Sequence, residues 1–467
     1  MKRFSALVLR EDTRLKPGVN EKTFEAKPRE IPHPHSFLPS LPFAESSEWF
    51  VCGGRVYATQ GWKLYVPLTV LNAAEIVERL VPLAQRYALH FKYIKSINLL
   101  RKLNAGIFGY TQIGKGFVIY LPEPKAPFIA ALIRSLEEYR DQCPAVPCAV
   151  PFGNDLPLYY RYGSYQGRRI KVGGTEIDDD RQDASSAVPT GVVDLLAPYT
   201  TPICENVEVS SFLQRYPAYQ AIAQQGKCGV FRALNLESDV FQEVILKVGY
   251  HRGQLEIDGS DGCSFLRREL AFYRELGLRE LHHLTPRLVD ALDLSRKVIL
   301  VLEYIPGNNL LERKLQGMLS LEHLNHCWKI LDDLHAAGVY LGDAKLANFL
   351  LTDNDEIRVI DFEAAGVIGQ APPPMRTFII DPLPEDPCIV DRAHFLASVV
   401  FPYEDAAHSL SDRRVDLHAW MNQKPGTEIA AWAIDKLRCL FTSRGGFVKS
   451  QKSYVDRCST TCGSGWG

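Results

Sequence analysis

The chain has no apolar run approaching the roughly 20 residues that span a bilayer, and its first apolar stretch, Phe4 to Leu9, is too short for a secretory signal. A cytoplasmic protein with no membrane partner is expected. Nor is there an excess of charge: 53 Lys and Arg stand against 55 Asp and Glu, which gives no reason to expect nucleic acid as a partner. The 11 cysteines form no C-x-x-C pair and no Cys/His zinc spacing, so they read as buried thiols in a reducing compartment. No internal repeat is visible. With 46% hydrophobic and 23% charged residues over 467 positions, the composition is that of an ordinary globular protein long enough for two domains.

The densest chemistry lies in Gly342-Asp343-Ala344-Lys345-Leu346-Ala347-Asn348, followed by Asp361-Phe362-Glu363. Phosphoryl transfer in kinases uses an Asp to orient the attacking hydroxyl, an Asn five residues later for metal, and a second Asp on the next strand for Mg²⁺. Asp343, Asn348 and Asp361 stand at that spacing, and Lys345 lies inside the same loop. Phe349 to Leu351 and Arg358 to Ile360 read as two strands joined by the turn Asp353-Asn354-Asp355, which brings both polar clusters to one cleft.

Upstream, Val244-Ile245-Leu246-Lys247 reads as a strand ending in a phosphate-pairing Lys. The helical pattern from Phe265 to Leu276 offers Glu269 to position Lys247, with Glu275 as competitor. Gly226-Lys227-Cys228-Gly229 is a candidate phosphate-covering loop, although a plain hairpin turn explains it equally well. Val298 to Glu303, then Tyr304 and Pro306-Gly307, reads as a strand and hinge, with Glu303 at the nucleotide side. In this order the elements of residues 206 to about 365 resemble the protein-kinase-like fold. Leu341-Gly342 replaces the usual His-Arg, Glu363 replaces the usual Gly, and Pro372-Pro373-Pro374 falls where an activation segment would run. Asp391 resembles the buried Asp that braces the catalytic loop, with a helix N-cap as the alternative.

Earlier in the chain, Gly61-Trp62-Lys63-Leu64-Tyr65-Val66 alternates as a strand that puts Lys63 and Tyr65 on one face. Lys92, Lys115 and Arg161 each lie in or beside a further strand-like segment. Strand-borne Lys is usually solvent-facing, but four such segments together define a candidate dianion pocket.

The phrases Gly61-Trp62-Lys63, Phe91-Lys92-Tyr93, Ser96 to Asn104, Gly114-Lys115-Gly116-Phe117 and Tyr160-Arg161-Tyr162-Gly163 resemble the lyase domain of class III lanthionine synthetases. In that family a kinase domain with a G-D-x-x-x-x-N loop follows. The resemblance implies an α+β chain, with a phosphothreonine-lyase-like domain (48–172) followed by a bilobal protein-kinase-like domain (206–441). An N-terminal extension (1–47), an acidic linker (173–205) and a Ser/Thr/Cys/Gly tail (442–467) complete the expected organisation.

By the same resemblance, the kinase phosphorylates Ser or Thr of a Ser/Thr/Cys-rich precursor peptide, using ATP or GTP and Mg²⁺. The lyase then removes the α-proton with Lys63, and Lys92, Lys115 and Arg161 hold the departing phosphate. Tyr65 stands where the family has a His as general acid. The family's cyclase domain is not expected here, which makes a separate cyclase a second implied partner. Two rivals remain: an atypical Ser/Thr or small-molecule kinase whose lyase-like domain is inactive, and a non-catalytic scaffold that binds the peptide.

Overall fold

Strict alternation in Gln60–Val66 turns Trp62, Leu64 and Val66 to one side and Lys63 and Tyr65 to the other, and this division organises the first half of the molecule. In the computed structural model, residues 28–37, 41–53, 58–179, 187–204, 206–369, 379–381, 384–401 and 414–442 are described. The first 27 residues, Pro372-Pro373-Pro374 and the tail after 442 lie outside them. The fold mixes helix and sheet.

The first sheet has seven strands: β1 (Phe43–Glu45), β2 (Trp49–Cys52), β3 (Gln60–Val66), β4 (His90–Ile94), β5 (Phe117–Leu121), β6 (Val150–Pro151) and β7 (Tyr159–Ser164). Their order is β1-β2-β4-β5-β3-β7-β6, antiparallel throughout. Helices α1 (Ala73–Arg86), α2 (Ile97–Ala105) and α3 (Ala126–Leu136) belong to the same region. On α1, Ile76, Val77, Leu80, Val81 and Ala84 recur at helical spacing and pack with Trp62, Leu64 and Val66 in one core. Helix α2 starts because Ser96 accepts the N–H of Leu99 (3.3 Å), and it stops at Gly106, whose φ of +89° suits a residue without Cβ. A short hairpin follows, β8 (Arg169–Val172) and β9 (Thr175–Asp178), with Gly173-Gly174 as its turn.

The second sheet has five antiparallel strands, β10 (Ala218–Gln224), β11 (Cys228–Leu234), β12 (Glu243–Tyr250), β13 (Leu288–Leu294) and β14 (Lys297–Glu303), in the order β10-β11-β12-β14-β13. Helix α4 (Val207–Arg215) covers one face with Phe212 and Tyr216. Helix α5 (Gly262–Leu278), capped by Asp261 on Ser264 N–H (2.9 Å), covers the other. Beyond this sheet, β15 (Gly307–Asn309), β17 (Phe349–Thr352) and β18 (Ile357–Val359) form a small sheet, while β16 (Val339–Tyr340) pairs with β19 (Gly366–Val367). Helices α6 (Leu310–Leu315), α7 (Leu321–Ala336) and α8 (Pro387–Val400) surround them.

Segments flanking the two large sheets touch, with polar contacts among them. Arg101 pairs with Glu256 (2.7 Å), Asp141 meets His251 (2.8 Å) and Arg296 (2.9 Å), and Gly226 N–H donates to the Ala105 carbonyl (3.3 Å).

Candidate active sites

On β12, Val244, Leu246 and Val248 point toward α4, which leaves Lys247 facing α5. Its Nζ lies 2.7 and 2.8 Å from the two Glu269 oxygens and 2.8 Å from Asp361 Oδ1. Glu269 is fully buried, whereas Glu275 pairs with Arg279 (2.6 Å) one turn away on the same helix. Burial opposes charge on Lys247, but the carboxylates of Asp361 and Glu269 outweigh it and hold the ammonium well above the usual lysine range. Desolvation likewise pushes Asp361 up, yet the ammonium groups of Lys247, Lys227 and Lys345 hold its carboxyl well below the usual range. Asp361 has φ +69°, sparsely populated for a non-glycine residue, and Phe362 beside it packs on Phe272 and Tyr273 with ring centroids 5.2 and 5.1 Å apart.

The loop that carries Asp343 is fixed from below. Asp391, fully buried inside α8, accepts the N–H groups of Leu341 (2.6 Å) and Gly342 (2.7 Å) and meets His335 Nε2 (3.1 Å). The cap of that helix is Asp386, so the N-cap alternative for Asp391 does not apply. Gly342 has φ +74°, and a Cβ there would stand 2.0 Å from the Ala364 carbonyl, so this position requires glycine. Lys345 Nζ lies 2.5 Å from Asp343 Oδ2. Asn348 Nδ2 donates to the Asp343 carbonyl (3.1 Å), and Asn348's own carbonyl accepts Ile360 N–H (2.9 Å), which sets the ends of the two motifs side by side. The Asn348 amide oxygen and the Asp361 carboxylate are hard oxygen donors of the kind Mg²⁺ takes, and Asp361 keeps 32% of its side chain exposed.

Two of the expected nucleotide-site segments already carry hydrogen bonds within the protein. Gly226 and Lys227 form a tight turn between β10 and β11, closed by Gln225 N–H on the Cys228 carbonyl (3.0 Å), and Gly226 N–H goes to Ala105. Gly229 lies within β11 opposite Val248. Glu303 accepts Arg287 N–H on its carboxylate (3.1 Å) and donates its own N–H to the Arg287 carbonyl (2.9 Å), which ties the end of β14 to the residue before β13.

The second cluster lies on the first sheet, on the face away from α1. Register pairs Lys63 with Arg161 and with Tyr120, and Tyr120 with His90; two residues along, Tyr65 pairs with Tyr159 and Val118, and Val118 with Lys92. Directly opposed residues share a face, so Arg161, Lys63, Tyr120 and His90 form one row, and Tyr159, Tyr65, Val118 and Lys92 the next. Lys115 reaches over from the turn before β5, its Nζ 4.5 Å from the Tyr65 ring centroid, and Lys92 Nζ lies 4.2 Å from the Trp49 ring. Lys63, Lys115 and Arg161 are all buried. Val146 and Ala149 pack over Tyr65 and Tyr159.

One member differs from expectation. The Arg161 guanidinium is 2.9 Å from Asp179, which also accepts Ser164 N–H (3.0 Å). Asp179 sits in the stretch read as a solvated acidic linker, yet it is buried, while neighbouring Asp178 is exposed. Arg161 is thus already neutralised by a carboxylate and braced on the Cys148 carbonyl (3.3 Å). Asp179, Tyr120 and His90, and the pairing of Lys227 with Glu363, are neighbours of these clusters that sequence reasoning did not single out.

Comparison with known proteins shows what the chain is similar to. Residues 39–192 match the family described as RamC, N-terminal domain. The chain is also similar to a probable SapB synthase of Streptomyces coelicolor, 27% identical over 365 residues, which cover 70% of this chain and 38% of that protein. Shorter kinase similarities accompany it. One is to CBL-interacting protein kinase 14 of Oryza sativa subsp. japonica, 27% identical over 155 residues (32% of this chain, 33% of that protein). Another is to hormonally up-regulated neu tumor-associated kinase homolog B of Xenopus laevis, 32% identical over 95 residues (19% and 15%). The protein is therefore lanthipeptide-synthetase-like and kinase-like in sequence, and it spans little more than a third of the synthase it matches. Among the described residues no helix is long and apolar enough to cross a membrane.

Proposed function

We propose that this protein phosphorylates Ser or Thr of a Ser/Thr/Cys-rich precursor peptide and then eliminates the phosphate, leaving a dehydroamino acid. The observation that carries the first step is Lys247 held between Glu269 and Asp361, in register with a loop braced by Asp391. Asp343 orients the peptide hydroxyl and receives its proton, while Lys345 at 2.5 Å offsets negative charge beside the transferred group. Lys247 holds the phosphates of ATP or GTP. Asn348 and Asp361 would hold Mg²⁺, which supplies charge neutralisation when bound. The residues on either side of the cleft then correspond to the two lobes of a kinase.

For the second step, Lys63 takes the α-proton, and Lys92 and Lys115 attract the phosphate. Lys63 is buried and opposite Arg161 on the neighbouring strand, and the role of base requires its amine in the neutral form. Arg161, tied to Asp179, shapes this pocket and contributes its charge at reduced strength. Tyr65, whose ring lies against the Lys115 ammonium, serves as the proton donor to the departing phosphate in this reading.

A second reading, a kinase whose other domain only binds phosphopeptide, is favoured by the neutralised Arg161 and by Tyr65 in place of a histidine. Separated-function variants distinguish the two. Lys63→Ala should accumulate phosphopeptide and Asp343→Asn should leave the peptide unmodified; a wild-type protein that also stops at phosphopeptide would establish the binding-only reading.

A further inference from the structure

The turn between β10 and β11 is too short to cover phosphates as a glycine-rich loop does. Only Gly226 and Lys227 lie between the closing pair Gln225 and Cys228. Backbone capture of phosphate needs several N–H groups converging on one anion. Here Gly226 N–H is committed to the Ala105 carbonyl at the end of α2 (3.3 Å). A Cβ on Gly226 would stand 1.5 Å from the Asn104 carbonyl oxygen, so the turn is pressed directly against that helix.

What the turn offers instead is an ammonium group. Lys227 runs inward and pairs with Glu363, with 15% and 12% of the two side chains exposed. Glu363 lies two residues after Asp361, where the kinase pattern has glycine, and the Lys227 charge acts on the Asp361 carboxylate together with those of Lys247 and Lys345. Lys247 contacts the Asp361 carboxylate directly (2.8 Å), while Lys227 and Lys345 pair with the acidic residues Glu363 and Asp343 beside it. Largely buried ion pairs gain little net stability against their desolvation cost, so fold stability alone does not account for this one.

We infer that Lys227 is a phosphate-gripping residue of the nucleotide site, supplying by charge what the two-residue turn cannot supply by N–H groups, with Glu363 as its competing partner. The inference rests on the reading of this cleft as a kinase site. Phosphate oxygens and the Glu363 carboxylate compete for the same ammonium, so triphosphate binding exchanges one anionic partner for another.

Binding titrations on the full chain test it, using fluorescent ATP and GTP analogues displaced by unlabelled triphosphates, diphosphates and nucleosides, with and without Mg²⁺. Lys227→Ala should weaken triphosphate binding at least tenfold and leave nucleoside binding unchanged, with Lys227→Arg restoring most of the loss. Glu363→Gln should tighten Mg²⁺-free triphosphate binding several-fold, because it removes both the competitor and a negative charge. Unchanged triphosphate affinity in Lys227→Ala, or an equal loss of nucleoside and triphosphate, would overturn the inference. A wild-type chain that binds no nucleotide would instead overturn the kinase reading beneath it.

Discussion

Asp391 and Gly342 are joined by a 2.7 Å hydrogen bond between a fully buried carboxylate and a backbone N–H, and through it helix α8 holds the loop that carries Asp343. The same carboxylate takes Leu341 N–H at 2.6 Å. Replacing Asp391 with Ala strands two buried donors, at a cost of about 1–3 kcal/mol each. Asp391→Ala should therefore lower stability in urea unfolding by roughly 2–6 kcal/mol and abolish phosphoryl transfer. Asp391→Asn, which keeps one acceptor oxygen, should be less destabilised than Ala.

Asp361 gives a pH signature. Its folded carboxyl lies below the ordinary carboxylate range because the three nearby ammonium groups outweigh desolvation. The folded state thus binds fewer protons there than the unfolded chain. The resulting stability is fully present above the unfolded value of about 4, and it is lost as pH falls below that value toward the folded one. Urea unfolding at pH 6 and pH 3 should show wild type losing more stability than Asp361→Asn over this interval; equal losses would mean the ammonium cluster does not act on Asp361.

Tyr65 allows the elimination to be tested without disturbing phosphorylation, since it lies on the first sheet and the Asp343 loop does not. Tyr65→Phe should slow the disappearance of phosphopeptide by about 10²-fold, the lower range for a lost general acid, with the phosphorylation rate unchanged. Tyr65→His should retain elimination. If Tyr65→Phe eliminates at the wild-type rate, the departing phosphate needs no proton from this position.

The Arg161–Asp179 pair is buried on both sides, at 1% and 0% side-chain exposure. Removing one partner of such a pair leaves an uncompensated charge and costs about 3–5 kcal/mol. Asp179→Asn should show a loss near that range by chemical denaturation, and Arg161→Met combined with Asp179→Leu should recover much of it. A near-neutral Asp179→Asn would place the segment after β9 in solvent.

The features legible in the sequence were those written in local spacing. Val244 to Lys247, the alternation around Lys63, and the interval from Asp343 to Asn348 and on to Asp361 each depend on one strand or one loop, so their periodicity identifies them. The choice of Glu269 over Glu275 is not written in local spacing, because both lie on one helix and only the packing of α5 on β12 decides which reaches Lys247. Asp179 was not legible: a run of acidic residues reads as solvated, and its burial depends on Arg161, 18 positions earlier. The role of Gly226 was hidden for the same reason, since the backbone it approaches belongs to Asn104 and Ala105.

The most direct test is the mass of a Ser/Thr/Cys-rich peptide after incubation with the purified protein, Mg²⁺ and ATP or GTP. Net loss of water is the predicted result, since only phosphorylation followed by elimination produces it from this pair of sites. Stable phosphate addition, or an unchanged mass across a panel of such peptides while nucleotide is bound, would contradict the account.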